Sequence, residues 1–365
     1  MYTKYNSILN MLSFLMEEEN KGITFINGEN DESFLSYKKL YSKALEVLGF
    51  LQNRGIKTGD ELVFQIEDNE SFMCTFWACI MGGIIPVPVS VGNNDEHRLK
   101  LVKIWEVLKN PYLITDEKSI KNFKKFIVTG KYEKTKEELE KKSILLEQLE
   151  GWNTDGIPAK TNPEDIAFVQ FSSGSTGDPK GVIVTHEMAI VNSDDIARDI
   201  GLTADDRVIN WMPLTHDMGL IAYHLTSVAG KANQFIMPTS LFIRRPTLWL
   251  KKTSEHKATH LYSPNFGYKH LLTFYNYENA REWDLSSVRV ILNGAEPISK
   301  ELCEEFLDKM GVHGLDRKAM IPCYGLAEAT VGVALSPAGK EYLSHHLDRR
   351  KLNIRDKIVD IDPGD

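Results

Sequence analysis

Between two apolar runs the chain reads Phe171-Ser172-Ser173-Gly174-Ser175-Thr176-Gly177-Asp178-Pro179-Lys180-Gly181. Four small hydroxyl residues, three glycines and one lysine crowd into the stretch from Ser172 to Gly181. Glycine lets a backbone turn sharply and approach an anion, and successive backbone N–H groups make a concave anion site. The hydroxyls add donors, and Lys180 adds a mobile positive charge. This set of groups suits the triphosphate of a nucleotide. It is not a Walker A loop, which sets its lysine directly after a glycine, whereas Lys180 follows Pro179. Gly181-Val182-Ile183-Val184 reads as a second strand, so the expected frame is strand–loop–strand rather than strand–loop–helix. A glycine-rich hairpin without a ligand is the bland alternative.

Further along, Trp211-Met212-Pro213-Leu214-Thr215-His216-Asp217-Met218-Gly219-Leu220 puts an imidazole and a carboxylate after a strand. Asn293-Gly294-Ala295-Glu296-Pro297 follows another apolar strand. Tyr324-Gly325-Leu326-Ala327-Glu328-Ala329-Thr330 carries an aromatic ring and a carboxylate, and a hard cation bridging phosphate oxygens needs such a carboxylate. Ser263-Pro264-Asn265-Phe266-Gly267-Tyr268 reads as a strand-to-helix turn. Each of the four also fits an ordinary turn when taken alone.

Taken together and in this order, these segments resemble the adenylate-forming superfamily: acyl-CoA synthetases, nonribosomal peptide synthetase adenylation domains, luciferases and fatty acyl-AMP ligases. Ser173 to Gly177 with Pro179 to Gly181 match the superfamily's signature loop. The His-Asp-Met-Gly, Gly-Ala-Glu-Pro and Ala-Glu-Ala-Thr forms resemble the fatty acyl-AMP ligase branch, where Ala327 stands in place of a threonine. The opening segment, with Phe64-Gln65 and Pro86-Val87-Pro88-Val89, is similar to acyl-loading domains of lipopeptide synthetases. The resemblance implies a site that binds ATP and Mg²⁺. Ser172, Ser173, Gly174, Ser175, Thr176, Gly177 and Lys180 would hold the phosphates. Gly294, Ala295, Glu296, Pro297, Tyr324 and Gly325 would hold the adenine, and Glu328 the metal. His216, Asp217, Met218, Gly219, Ser263 and Asn265 would line the acyl side. Lys180, His216 and Glu328 would act in catalysis. The implied reaction joins a fatty acid to AMP with release of pyrophosphate, then passes the acyl group to a carrier-protein phosphopantetheine thiol or a downstream synthetase module. Two alternatives share every motif: a fatty acyl-CoA ligase with CoA as acceptor, and a fragment that binds ATP or acyl-AMP without turnover. The family's ribose-binding aspartate, hinge and small C-terminal domain have no match in Val331–Asp365, so the expectation is an incomplete N-terminal domain with that small domain absent and low activity in isolation.

What must position these groups is an α/β scaffold. Buried-strand patterns occur at Thr24–Ile26, Glu61–Gln65, Ile84–Val89, Ile166–Phe171, Val208–Met212, Gln234–Met237, Thr259–Tyr262 and Val288–Leu292. Helical patterns lie at Ser36–Leu51, Glu187–Ile200, Leu220–Ala229, Thr247–His256 and Lys300–Met310. Such alternation predicts mostly parallel sheets flanked by helices. The whole chain, 1–365, reads as one adenylation-type N-terminal domain, with an approximate subdivision into 1–160 and 161–365. The charge-free run Ser71–Asn94 is long enough to span a bilayer, but Gly82-Gly83, Pro86 and Pro88 break it into a buried helix and a strand. Ile8, Leu12, Leu15 and Met16 fit the stripe of an amphipathic helix. The charged stretch Tyr132–Glu150 reads as a solvated helix or linker.

The 365 residues carry a formal net charge of −8, which leaves no global basic field for nucleic acid or an anionic membrane. Cys74, Cys79, Cys303 and Cys323 form no CxxC pair and read as buried free thiols of a cytoplasmic protein.

Overall fold

The structure is a computed structural model, and it describes residues 5–92, 94–126, 132–172, 179–351, 357 and 359–361. Fourteen strands are present among them. In chain order they are β1 (Gly22–Ile26), β2 (Glu32–Ser36), β3 (Glu61–Gln65), β4 (Ile85–Pro88), β5 (Pro111–Thr115), β6 (Ser143–Leu145), β7 (Ile166–Ser172), β8 (Lys180–Thr185), β9 (Arg207–Asn210), β10 (Asn233–Ile236), β11 (His260–Ser263), β12 (Val290–Asn293), β13 (Met320–Gly325) and β14 (Gly332–Leu335).

Eight of these strands form one sheet in the order β14-β13-β12-β11-β9-β10-β1-β2, and four form another in the order β4-β3-β5-β6. The interior pairs of the large sheet are parallel, as are all pairs of the small one. Only the outermost strands β2 and β14 run antiparallel to their neighbours. Parallel strands need helices on their faces, which is why β9, β11 and β12 read as near-continuous apolar runs. The third element is an antiparallel hairpin of β7 and β8, in which Ser172 faces Lys180 across the ladder.

Local chemistry explains the helix bounds. Ser36 Oγ accepts the Lys39 N–H at 3.2 Å and opens the helix Tyr37–Asn53. Asp68 caps Asn69–Gly82, and Gly83, at φ +60°, ends it in the left-handed conformation. Every residue of that helix from Phe72 to Gly82 is buried, which accounts for a charge-free run in a core helix.

Several elements depart from the sequence reading. The first helix covers Ile8–Ser13 only, although Leu15 is buried. The charged stretch holds a helix, Tyr132–Lys141, and then β6, which pairs with β5. The segment Met218–Leu225 is a π-helix, followed by a single α-turn, Thr226–Ala229. The strands β2, β5, β6, β13 and β14 had no counterpart in the pattern. The expected division at residues 160 and 161 falls in the irregular stretch ahead of β7, and the earlier part supplies β1 and β2 to a sheet otherwise built from later residues. All four cysteines are free, and Cys74, Cys79 and Cys303 are buried. Among the described residues no helix is long and apolar enough to cross a membrane.

Candidate active site

The loops that leave the C-terminal ends of β9, β12 and β13 meet at a cavity of about 240 Å³. This is where parallel α/β sheets place their ligands. Leu292, next to last in β12, forms one wall. Met218 and Ala222 come from the π-helix, Ile196 from the helix His186–Asp199, and Val331 and Leu335 from the turn and strand after β13. The polar side is formed by Tyr324, Glu328, His216 and Asp217. Tyr324 is 62% exposed, so its ring is free to meet a ligand.

Backbone strain concentrates here. Four non-glycine residues among those described have positive φ, and two of them, Ala295 and Thr330, belong to this site. Thr330, at φ 73° and ψ −63°, centres a γ-turn closed by the Val331 N–H on the Ala329 carbonyl at 3.0 Å. A β-branched residue there costs on the order of 1–3 kcal/mol, and the turn immediately follows Glu328.

The Gly294–Pro297 loop is braced from behind. Asn293 is fully buried and donates to Asn265 Oδ1 at 3.0 Å. Asn265 in turn donates to the Pro297 carbonyl at 2.6 Å, and Glu296 Oε1 accepts the Phe266 N–H at 2.7 Å. Cys323 Sγ donates to the Asn293 carbonyl at 3.3 Å. A Cβ on Gly294 would run into Cys323 Sγ, so the loop can lie on β13 only with glycine there.

His216 and Asp217 form the second fixed feature. Nδ1 of His216 lies 2.7 Å from Asp217 Oδ1, which also accepts the Met218 N–H at 2.7 Å. The carboxylate thus takes a proton donor from the ring and caps the π-helix at once. The hydrogen bond to Asp217 raises the imidazole pKa above its ordinary value against the opposing effect of burial. Nε2 stays available, and the side chain is half-exposed. Gly219 permits this geometry, because a Cβ there would overlap the Pro213 carbonyl.

A second cavity, of about 340 Å³, shares His216, Asp217 and Ala327 with the first. Gln170 and Phe171 reach it from the last turnings of β7, Lys100 and Ile104 from the helix Asp95–Val107, and Thr215 from the loop after β9. His216 therefore stands on the wall between two chambers, one reaching into the large sheet and one toward the small sheet and the β7–β8 hairpin.

The sequence model of AMP-binding enzymes matches residues 17–365. The chain belongs to the AMP-binding enzyme family. A putative acyl-CoA synthetase of Caulobacter vibrioides is 31% identical over 344 residues, 93% of this chain and 58% of that protein. The medium-chain-fatty-acid–[acyl-carrier-protein] ligase JamA of Moorena producens is 27% identical over 99% of this chain and 61% of its own length. A fatty acyl-adenylate ligase from L. pneumophila, solved with acyl adenylate and pyrophosphate, superimposes with a TM-score of 0.88 at 29% identity, over 99% of this chain and 62% of that one. The chain thus spans about three-fifths of the length of these relatives.

In this AMP-binding enzyme the structure separates the site residues expected from sequence. Ser173, Gly174, Ser175, Thr176 and Gly177 lie outside the described residues. Ala295, Tyr324, Gly325, Glu328, His216, Asp217 and Met218 converge on the first cavity. Ser263 and Asn265 line neither cavity; Asn265 supports the loop that does. Lys180 begins β8, is exposed, and has no ion-pair partner among the described residues. Sequence reasoning missed Gln170 and Lys100. Gln170 gave a signal, as a polar residue inside the apolar strand β7; Lys100 gave none.

Proposed function

We propose that this chain is the nucleotide- and acyl-binding part of a fatty acyl-AMP ligase. The observation that carries the reading is the cavity walled by Ile196, Met218, Ala222, Leu292 and Leu335 on one side and by His216, Tyr324 and Glu328 on the other. It offers apolar surface for an alkyl chain beside polar groups for a carboxylate and a nucleotide. The relatives' names point the same way, since JamA is a medium-chain fatty-acid ligase acting on acyl-carrier protein.

A carboxylate resists attack by a thiol because oxide is a poor leaving group. Adenylation replaces that leaving group with AMP. One carboxylate oxygen bonds to the α-phosphorus of ATP, the bond to pyrophosphate breaks, and no proton is transferred, because the carboxylate is already ionised at neutral pH. The protein's work is to align two anions and offset their charge. Lys180 supplies positive charge beside the loop that follows Ser172. Tyr324 and the Gly294–Pro297 loop flank the adenine. His216, held protonated over a wider pH range by Asp217, offers Nε2–H to the acyl–phosphate junction.

Glu328 fits Mg²⁺: its carboxylate has no hydrogen-bond or ion-pair partner among the described residues, and it stands exposed on the cavity. No group of three or more metal-binding side chains occurs among those residues, as expected when phosphate oxygens and water complete the shell. When bound, the cation offsets negative charge on the phosphates.

The acyl acceptor on this reading is a carrier-protein phosphopantetheine thiol, which the second cavity would admit toward His216. The decisive experiment is ATP–pyrophosphate exchange by the whole protein with a panel of fatty acids and amino acids, followed by mass spectrometry of acyl transfer to holo-carrier protein and to CoA. Fatty-acid-dependent exchange with transfer to the carrier is expected. Exchange with amino acids only would overturn the substrate, and efficient acyl-CoA formation would favour the CoA ligase reading, for which the Caulobacter relative's name speaks.

A further inference from the structure

A polar chain runs through the core behind the acyl cavity. Trp77 Nε1–H donates to His224 Nε2 at 2.9 Å. That bond fixes the tautomer, so His224 Nδ1 carries the proton and donates to Gln234 Oε1 at 2.8 Å. Gln234 Nε2 donates to the Tyr37 hydroxyl at 2.7 Å, and Tyr37 donates to the Ala232 carbonyl at 2.7 Å. All four side chains are fully buried, and every polar atom named has its partner. Burial holds the His224 imidazole neutral, with its pKa pushed down to about 4.

His224 lies in the π-helix Met218–Leu225. A π-helix takes in an extra residue per turn and is rare beyond a single bulge. This one is supported at its end by Thr226, whose N–H bonds the Ile221 carbonyl five residues back and whose Oγ1 donates to the same carbonyl at 3.0 Å. Met218 and Ala222, four residues apart on this helix, both line the cavity wall. Relaxation to an α-helix would turn Ala222 from one side of Met218 to the other and reshape the wall between them. It would also carry His224 out of its bracket, leaving the buried Trp77 and Gln234 groups unpaired, which is unfavourable.

We propose that His224 is a positioning residue which, through Trp77 and Gln234, locks the π register and thereby sets the acyl-chain length the cavity accepts. The proposal rests on the reading of that cavity as an acyl site. Ala222 is the small residue that leaves the space, and the relay keeps it there.

The test is calorimetric binding of acyl-sulfamoyl adenosines with 8-, 12- and 16-carbon chains, and of ATP, to this chain. In His224→Leu the ratio of the 8- to the 16-carbon Kd is expected to change about tenfold while ATP binding stays within about twofold. His224→Gln, whose amide offers an acceptor and a donor in the same order, is expected to keep the original ratio. Thr226→Val, which removes the supporting hydroxyl without touching the relay, is expected to shift the ratio in the same direction as His224→Leu and provides the measurement if His224→Leu does not fold. An unchanged ratio in a folded His224→Leu protein, or an unchanged ratio in Thr226→Val, overturns the proposal. Failure of the unmodified chain to bind any of the acyl probes while binding ATP sinks the acyl reading itself.

Discussion

Lys180 and Glu328 sit at opposite ends of the proposed charge arrangement, one on the hairpin and one on the strained turn after β13. Replacing either by alanine is expected to lower the whole protein's exchange rate about 10²–10³-fold, the usual loss for one preorganised transition-state contact. The Glu328→Ala defect should be eased in part by raising Mg²⁺, and the Lys180→Ala defect should not. Exchange at the original rate in folded variants would remove these roles. For His216 the expectation concerns titration. Its folded pKa is raised, so the pair with Asp217 stabilises fully below the ordinary value near 6.5 and is lost as pH rises through the raised one. Histidine NMR should find one titration above the ordinary value that Asp217→Asn returns toward it. At this scale much of the candidate cavity's polar lining was legible, because Glu328, Tyr324 and His216 announce themselves by charge or ring in otherwise apolar or glycine-rich stretches. The Trp77–His224–Gln234–Tyr37 chain was not, since its members lie up to 197 residues apart. Its faint sign was a polar residue inside two apolar runs, at His224 and at Gln234.

Single turns decide how the elements present these groups. Gly219→Ala would drive a methyl into the Pro213 carbonyl, so the start of the π-helix must move. Nucleotide-analogue binding is expected to weaken at least tenfold while far-UV circular dichroism stays unchanged. Thr330→Gly should act on stability as well as on exchange. Relief of the positive φ should raise the unfolding free energy by up to about 1–2 kcal/mol in denaturant titration, net of glycine's entropy cost, yet exchange should fall because Glu328 is less firmly held. A loss of stability in Thr330→Gly would show that the turn is not strained. The pattern of strands was readable where both faces are buried, as in β9, β11 and β12. It failed for β14, whose middle residues are exposed, for β2 at the sheet edge, and for the three-residue β6 inside a charged stretch. Short edge strands owe their form to a partner rather than to their own alternation.

Across the whole molecule, three buried histidines share one electrostatic situation. His186, His224 and His260 are each held neutral by desolvation, with pKa values pushed down to about 4. A base whose folded pKa is depressed contributes stability that is complete above its ordinary value and is lost as pH falls toward the folded one. Unfolding free energy is therefore expected to drop steeply between about pH 6.5 and pH 4, by on the order of 3 kcal/mol for each such histidine. His260→Gln should flatten the slope by about one proton in urea titrations across that range; an unchanged slope would mean His260 does not contribute. The placement of β1 has a consequence in time. β1 pairs with β2 and with β10, and Ile23 lies opposite Gln234, so the neighbour on one side is translated more than 200 residues later. A nascent chain can close the small sheet, β3 to β6, while β1 still waits with one edge open. Until β10 emerges, that edge is exposed to whatever surrounds the ribosome, which makes early arrest of synthesis a route to aggregation. Stalled chains ending near residue 200 should accordingly be cleaved by protease between Gly22 and Ser36 and protected across Glu61–Leu145, whereas chains released after residue 240 should be protected in both.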